Sequence, residues 1–211
     1  MDIKYFIEPI FKIEFFKIKS VNFKNKKYDI EKILKQYPEK RFDNFYSNRN
    51  KSNISWELQE TFKDEFELIK TKYNSNLDVY NAWSVSYQKG DYHVPHNHGS
   101  IGYCGILYLD MHKNSPVTTY IQPWNDENDR TKLYKPPVVA GDIMIEPQFL
   151  MHYSEINELK FPKRIISFDF KLDLWLNPIW VCILFYPLIY THVRTMLLVG
   201  PGSMSNESTR C

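Results

Sequence analysis

The stretch GDYHVPHNHG, residues 90–99, decides how this chain is read. It sets His96 and His98 two positions apart, and in an extended strand side chains at i and i+2 leave the same face. Two imidazoles are thereby aimed at one point. Much further along, GDIMIEPQFLMH, residues 141–152, closes a second strand-like run on His152. Imidazole suits borderline metals such as iron, zinc, nickel and copper, and three protein ligands leave coordination positions open for substrate or oxygen. Any one of these histidines alone reads as a surface or hydrogen-bonded core residue. The three together, with Gly90 and Pro95 before the pair and Gly141, Asp142 and Pro147 before the third, read as a catalytic metal site on β-strands. His93, three residues before His96, is expected behind the ligands or at the surface.

Strand signals continue on both sides. From Leu77 the hydrophobic period is two, through Val79, Ala82, Val85 and Tyr87, and β-favouring runs recur at 105–110, 117–122, 143–146 and 164–172. Turn residues separate them at Lys89-Gly90-Asp91, Asn125 to Asn128, Pro136-Pro137 and Ala140-Gly141-Asp142. Many short strands with regular turns predict a closed barrel or jelly roll over residues 77–172. Before it, residues 3–19 predict one or two strands, and 28–36 a short helix stopping ahead of Pro38. Residues 56–73 predict the longest helix, with Trp56, Leu58, Phe62, Phe66 and Ile69 on its apolar side. The fold class expected is mainly β with N-terminal α/β elements, residues 1–76 supplying strands and helices that pack on the barrel.

With 211 residues, 43% of them hydrophobic, the chain can bury one substantial core, which argues for one domain. A net charge of +2 from 27 basic and 25 acidic residues gives no strong nucleic-acid signal. Three cysteines, Cys104, Cys182 and Cys211, without C-x-x-C spacing indicate neither a disulfide framework nor a thiolate zinc site. Charges interrupt the apolar N-terminal stretch too often for a signal peptide, so a reducing, cytoplasmic setting is expected. Residues 174–193 contain no Lys, Arg, Asp or Glu, a sharp break from the Lys-rich chain before it. Pro178 and Pro187 weigh against a spanning helix, so membrane contact there is the less favoured reading. Packing on the barrel or a partner, or a foreign or read-through extension, are the others, and the role of 173–211 stays open.

The pattern W-x-x-x-Y-x-x-G-x-x-x-x-x-H-x-H from Trp83 through Tyr87 and Gly90 to His98, followed by CGILYLD at 104–110, resembles Fe(II)- and 2-oxoglutarate-dependent oxygenases common in phages and bacteria. The second half of the likeness is GDIMIEPQFLMH followed by RIISFDF, so it covers roughly 79–170. The resemblance implies a double-stranded β-helix holding Fe(II) through His96, His98 and His152. It implies Arg164 as the residue binding the distal carboxylate of 2-oxoglutarate. Tyr103 and Tyr108 lie near the proposed mouth, where either could hydrogen-bond that co-substrate, core packing being the plainer role for both. A guanidinium suits the role, since its planar fork pairs bidentately with a carboxylate and stays charged. In a regular strand Ile166, Phe168 and Phe170 share the face of Arg164, while Ser167 faces the other way. The activity implied is hydroxylation with O2 and a small-molecule co-substrate, the substrate itself being unidentified. His98 stands where the family pattern usually has a carboxylate, and Ile166 where many members have a hydroxyl residue.

Two other readings stay open. Gly90 with H-x-H, and Gly141 with Pro147 and His152, also match halves of both cupin motifs, although Gly102 and Tyr103 stand where a cupin has glutamate. A cupin-type metal enzyme would need no 2-oxoglutarate and no Arg164. A non-catalytic jelly-roll module would bind no metal. Trp83 and Trp124 are candidates for a substrate opening, core packing being the plainer role for Trp83. Cys104 is expected as core packing and Asp142 as part of its turn.

Overall fold

The computed structural model describes residues 13–49 and 53–173. Its elements are β1 (Phe16–Lys19), α1 (Phe23–Leu34), β2 (Lys40–Arg41), β3 (Tyr46–Ser47), α2 (Ser55–Thr61), α3 (Lys63–Tyr73), β4 (Leu77–Tyr87), β5 (His93–His96), β6 (Tyr103–Asp110), β7 (Thr118–Asn125), β8 (Thr131–Tyr134), β9 (Asp142–Pro147), β10 (His152–Ser154) and β11 (Lys163–Leu172). The larger sheet has the order β1-β9-β6-β11-β4-β3-β2 and the smaller the order β5-β10-β7-β8. From β4 onward the chain passes back and forth between the two sheets, the path of a double-stranded β-helix, with antiparallel neighbours throughout. Strands of the N-terminal segment extend the larger sheet at both edges, through β1 against β9 and β3 against β4.

The helices differ in two ways from the periodicity. The expected long helix is two, because Phe62 leaves helical geometry at φ −111°, ψ 33° while its ring stays fully buried. Burying that ring and continuing the helical axis are competing demands, and burial wins. The short helix also begins earlier than expected, after Asn22 at φ 55°. Its polar first turn is held by tertiary contacts: Lys26 bonds the buried Glu65 at 2.7 Å, and Phe23 lies against Gly141. Gly141 has φ 93°, and a Cβ there would press on the Phe23 ring. The left-handed backbone and the close approach both call for glycine.

Both faces of the larger sheet are covered. One packs on the helices through Ile166, Phe168 and Phe170 with Leu58, Phe62, Phe66 and Ile69, the Phe66 and Phe168 rings meeting edge to face at 5.4 Å. Full burial of each such side chain contributes roughly 1.5–3 kcal/mol. The other face meets the smaller sheet through Trp83, Val85, Tyr87, Ile106, Tyr108, Met144 and Ile165. Val79 and Ala82, three apart, both reach the helix-side core because a bulge lies between them, opposite the Asp169/Phe170 step of β11. Covering on both faces leaves seven of the ten residues of β11 buried, so polarity along that strand does not by itself reveal which side is inside.

Residues 3–12 of the expected N-terminal strands and the uncharged run 174–193 lie outside the described residues. Among the described residues no helix is long and apolar enough to cross a membrane.

Candidate metal centre

The smaller sheet brings two of the histidines face to face. His152 on β10 is the direct register partner of His96 at the end of β5. Each ring is oriented the same way: His96 Nδ1 lies 2.9 Å from the Val94 carbonyl and His152 Nδ1 3.0 Å from the Leu150 carbonyl, in both cases two residues back. A carbonyl only accepts, so Nδ1 carries the proton and Nε2 keeps its lone pair. His98 lies just beyond β5, its backbone N–H held by the Gln148 carbonyl at 3.0 Å. Its Nδ1 is 2.6 Å from Asp169 Oδ1, which leaves Nε2 free as well. Ring centroids are 4.5 Å apart for His96 and His152, 5.5 Å for His96 and His98, and 5.2 Å for His98 and His152.

One ligand atom from each of the three lies within 4.8 Å of the others, close enough to share one ion. The electrostatics of His96 and His152 favour the ligand form. Burial, then the neighbouring His96 and His98, lowers His152 to about 3, so it stays neutral well below pH 7, and burial lowers His96 as well. His93 stacks on the His96 ring at 3.9 Å and is lowered to about 3 by burial. It backs the ligands on one side.

A second grouping of possible ligands joins His98 and Asp169 with Cys104. Burial raises the Cys104 thiol well above its ordinary value, and its S–H donates to Glu146 Oε1 at 3.6 Å. A held thiol is a poor ligand beside three free imidazole lone pairs. Glu146 also accepts from the Tyr120 hydroxyl at 2.9 Å, and burial raises it to about 8.

The histidines open into a cavity of about 250 Å³ between the sheets, lined also by Trp83, Tyr87, Thr118, Ile165 and Ser167. At its rim the Arg49 guanidinium lies 4.6 Å over the Trp83 ring. Behind Tyr87 and Ser154, two further lining residues, is the fully buried Lys163. Its Nζ donates to Ser154 Oγ at 2.8 Å and stands 4.7 Å from the Tyr87 ring centroid. Burial lowers it to about 7, and among the described residues no carboxylate lies within ion-pair distance of it.

Arg164 is placed elsewhere. It points to the helix side of the larger sheet, where it donates to Glu31 Oε1 at 2.6 Å and Asp110 Oδ2 at 3.1 Å. Ile166, Phe168 and Phe170 do share its face, but that face is the helix-side core. The inward set of β11 is Lys163, Ile165, Ser167 and Asp169, so Ser167 faces the cavity and not away from it. Tyr103 is likewise on the helix side, 4.8 Å from the Tyr73 ring and 5.5 Å from Phe170. Tyr108 faces inward, fully buried, and donates to Thr118 Oγ1 at 3.1 Å. Trp83 lines the cavity and is buried, whereas Trp124 is exposed and lines a separate groove at β7 and β8.

No protein-family model matches the chain, and no curated protein matches its sequence. Solved structures do match in fold. HygX from Streptomyces hygroscopicus, with nickel and 2-oxoglutarate bound, superposes with a TM-score of 0.57 at 12% identity, over 76% of this chain and 83% of that one. An oxidoreductase of the 2OG-Fe(II) oxygenase family from Burkholderia pseudomallei gives 0.56 at 8% identity, over 74% and 84%. The non-haem alpha-ketoglutarate-dependent epimerase SnoN from nogalamycin biosynthesis gives 0.57 at 10% identity, over 74% and 76%. At these identities the likeness establishes the fold: a jelly roll of the kind these proteins share.

Proposed function

We propose that this protein is an Fe(II)- and 2-oxoglutarate-dependent dioxygenase that hydroxylates a substrate entering past Trp83 and Arg49. One observation carries the reading: three imidazoles with free Nε2 atoms face a cavity at whose back a buried lysine lacks a carboxylate. Neutral imidazoles are the donor set for a divalent borderline metal. An ammonium held in apolar surroundings with a single hydroxyl partner is costly to bury, and an anionic ligand offsets that cost. The fold supports the same reading, since HygX carries a metal and 2-oxoglutarate on this scaffold.

In this reading His96, His98 and His152 hold the iron, and Lys163 with Ser154 takes the distal carboxylate of 2-oxoglutarate in place of Arg164. Bound iron supplies O2 activation coupled to oxidative decarboxylation of the co-substrate. The chain's own residues do the rest. Tyr87, Ile165 and Trp83 keep water from the cavity walls, and Thr118, fixed by Tyr108, offers a hydroxyl to the co-substrate chain. Catalysis is assigned to residues 77–172. The free thiol of Cys104 suits a reducing compartment, and we place the enzyme in the cytoplasm.

Anaerobic loading with Fe(II), then addition of 2-oxoglutarate and O2, tests the assignment through succinate formation. Metal-dependent succinate that disappears in His152→Ala is expected. A cupin-type enzyme would bind the metal yet neither consume 2-oxoglutarate nor respond to loss of Lys163, and a non-catalytic module would bind no metal.

A further inference from the structure

The three rings are oriented alike but not partnered alike. His96 and His152 donate to backbone carbonyls, whereas His98 donates to a carboxylate at 2.6 Å. That carboxylate belongs to Asp169, near the middle of β11, with Asn81 of β4 on one side and Cys104 of β6 on the other. Both side chains of the pair are almost wholly buried, 3% exposed for His98 and 6% for Asp169. A charge held there is not screened by solvent. The neighbouring carboxyl, Glu146, keeps its proton at neutral pH, since burial and the Asp169 charge push it up to about 8. Three imidazoles bring no negative charge to a metal, whereas the common non-haem oxygenase set brings one carboxylate.

We infer, on the reading that the histidines hold a divalent metal, that Asp169 is a positioning residue that replaces the missing carboxylate from one bond further out. It fixes His98 with Nε2 toward the other two rings. Through the Nδ1–H hydrogen bond it also makes that ring a stronger donor, as carboxylates behind metal-bound histidines do. The charge usually placed at the position of His98 is thereby relocated to a strand of the larger sheet, where packing on both faces fixes it.

The test is anaerobic Co(II) titration, followed by absorption and calorimetry, of the wild type, Asp169→Asn, His98→Ala and the double variant. Asparagine keeps the shape and an acceptor oxygen but removes the charge. Co(II) affinity is expected to fall about 10- to 100-fold in Asp169→Asn, with no further fall when the same change is made in His98→Ala. Equal affinity in wild type and Asp169→Asn, or an equal loss in both backgrounds, would overturn the inference. A wild type that binds no Co(II) would overturn the metal reading itself. A measurement without substitution guards against a variant that fails to fold: ring nitrogen–proton correlation in Zn(II)-loaded wild type. The His98 proton is expected on Nδ1 and more deshielded than those of His96 and His152. Finding it on Nε2 would contradict the account.

Discussion

Lys163 and Ser154 meet across the two sheets, Nζ to Oγ at 2.8 Å, with the ammonium fully buried. A lysine so placed contributes little to folding, and the proposed function gives it an anionic partner. Lys163→Met should raise the KM for 2-oxoglutarate roughly 10- to 100-fold, the loss of one charge-assisted hydrogen bond. Steady-state succinate assays across co-substrate concentrations give this value. The metal-free variant should be as stable as the wild type or more so, because the desolvated charge is gone.

Arg164→Ala separates the two adjacent cations. The guanidinium is 25% exposed and paired with Glu31 and Asp110, so its removal should cost about 1 kcal/mol in urea unfolding. The KM for 2-oxoglutarate should stay within about twofold of the wild type, since a change of 0.4 kcal/mol or less is the most a remote charge should add. An increase comparable to that of Lys163→Met would return the carboxylate-binding role to Arg164.

Glu146 makes stability depend on pH. Its folded value, about 8, lies above the ordinary carboxyl value of 4.5, because burial outweighs the hydrogen bonds from Tyr120 and Cys104. Between these values the folded chain holds a proton that the unfolded chain has lost. Its stabilising contribution is therefore full below pH 4.5 and is lost as pH rises toward 8. Glu146→Gln imitates the protonated form, so the metal-free variant should match wild type near pH 5 and exceed it near pH 8. Urea unfolding at both values tests the sign.

Gly105 tests the packing of the larger sheet. A Cβ at this position of β6 would collide with the Phe168 ring, itself locked against Phe66. Gly105→Ala should destabilise by about 1–3 kcal/mol, an overpacking cost, read as a lower urea midpoint with an unchanged slope.

That His96, His98 and His152 come together was legible from the H-x-H spacing and the strand-like run before His152, although His98 falls just beyond β5. The long strands β4, β6, β7, β9 and β11 were legible for a related reason, their β-branched and aromatic runs being bounded by turn residues. Strand β8 was not, being exposed at every position, and the short β5 and β10, the first carrying Pro95 and the second three residues long, were signalled only by their histidines. The expectation that Arg164 faces the barrel interior failed on a general assumption, that the apolar face of β11 is the inner one. Helices cover that face, while the interior carries Lys163, Ser167 and Asp169 around a polar site. The alternation of polar residues at 163, 167 and 169 was the available signal. The same inversion put Tyr103 at the mouth, when on β6 it is Cys104, Ile106 and Tyr108 that point inward.

The most direct test of the account is calorimetric titration of the metal-free protein, under anaerobic conditions, first with Fe(II) and then with 2-oxoglutarate. The prediction is one Fe(II) per chain, lost in His152→Ala, and 2-oxoglutarate binding that requires the metal and weakens in Lys163→Met. Fe(II) binding that survives His152→Ala, or 2-oxoglutarate binding indifferent to both metal and Lys163, would contradict it.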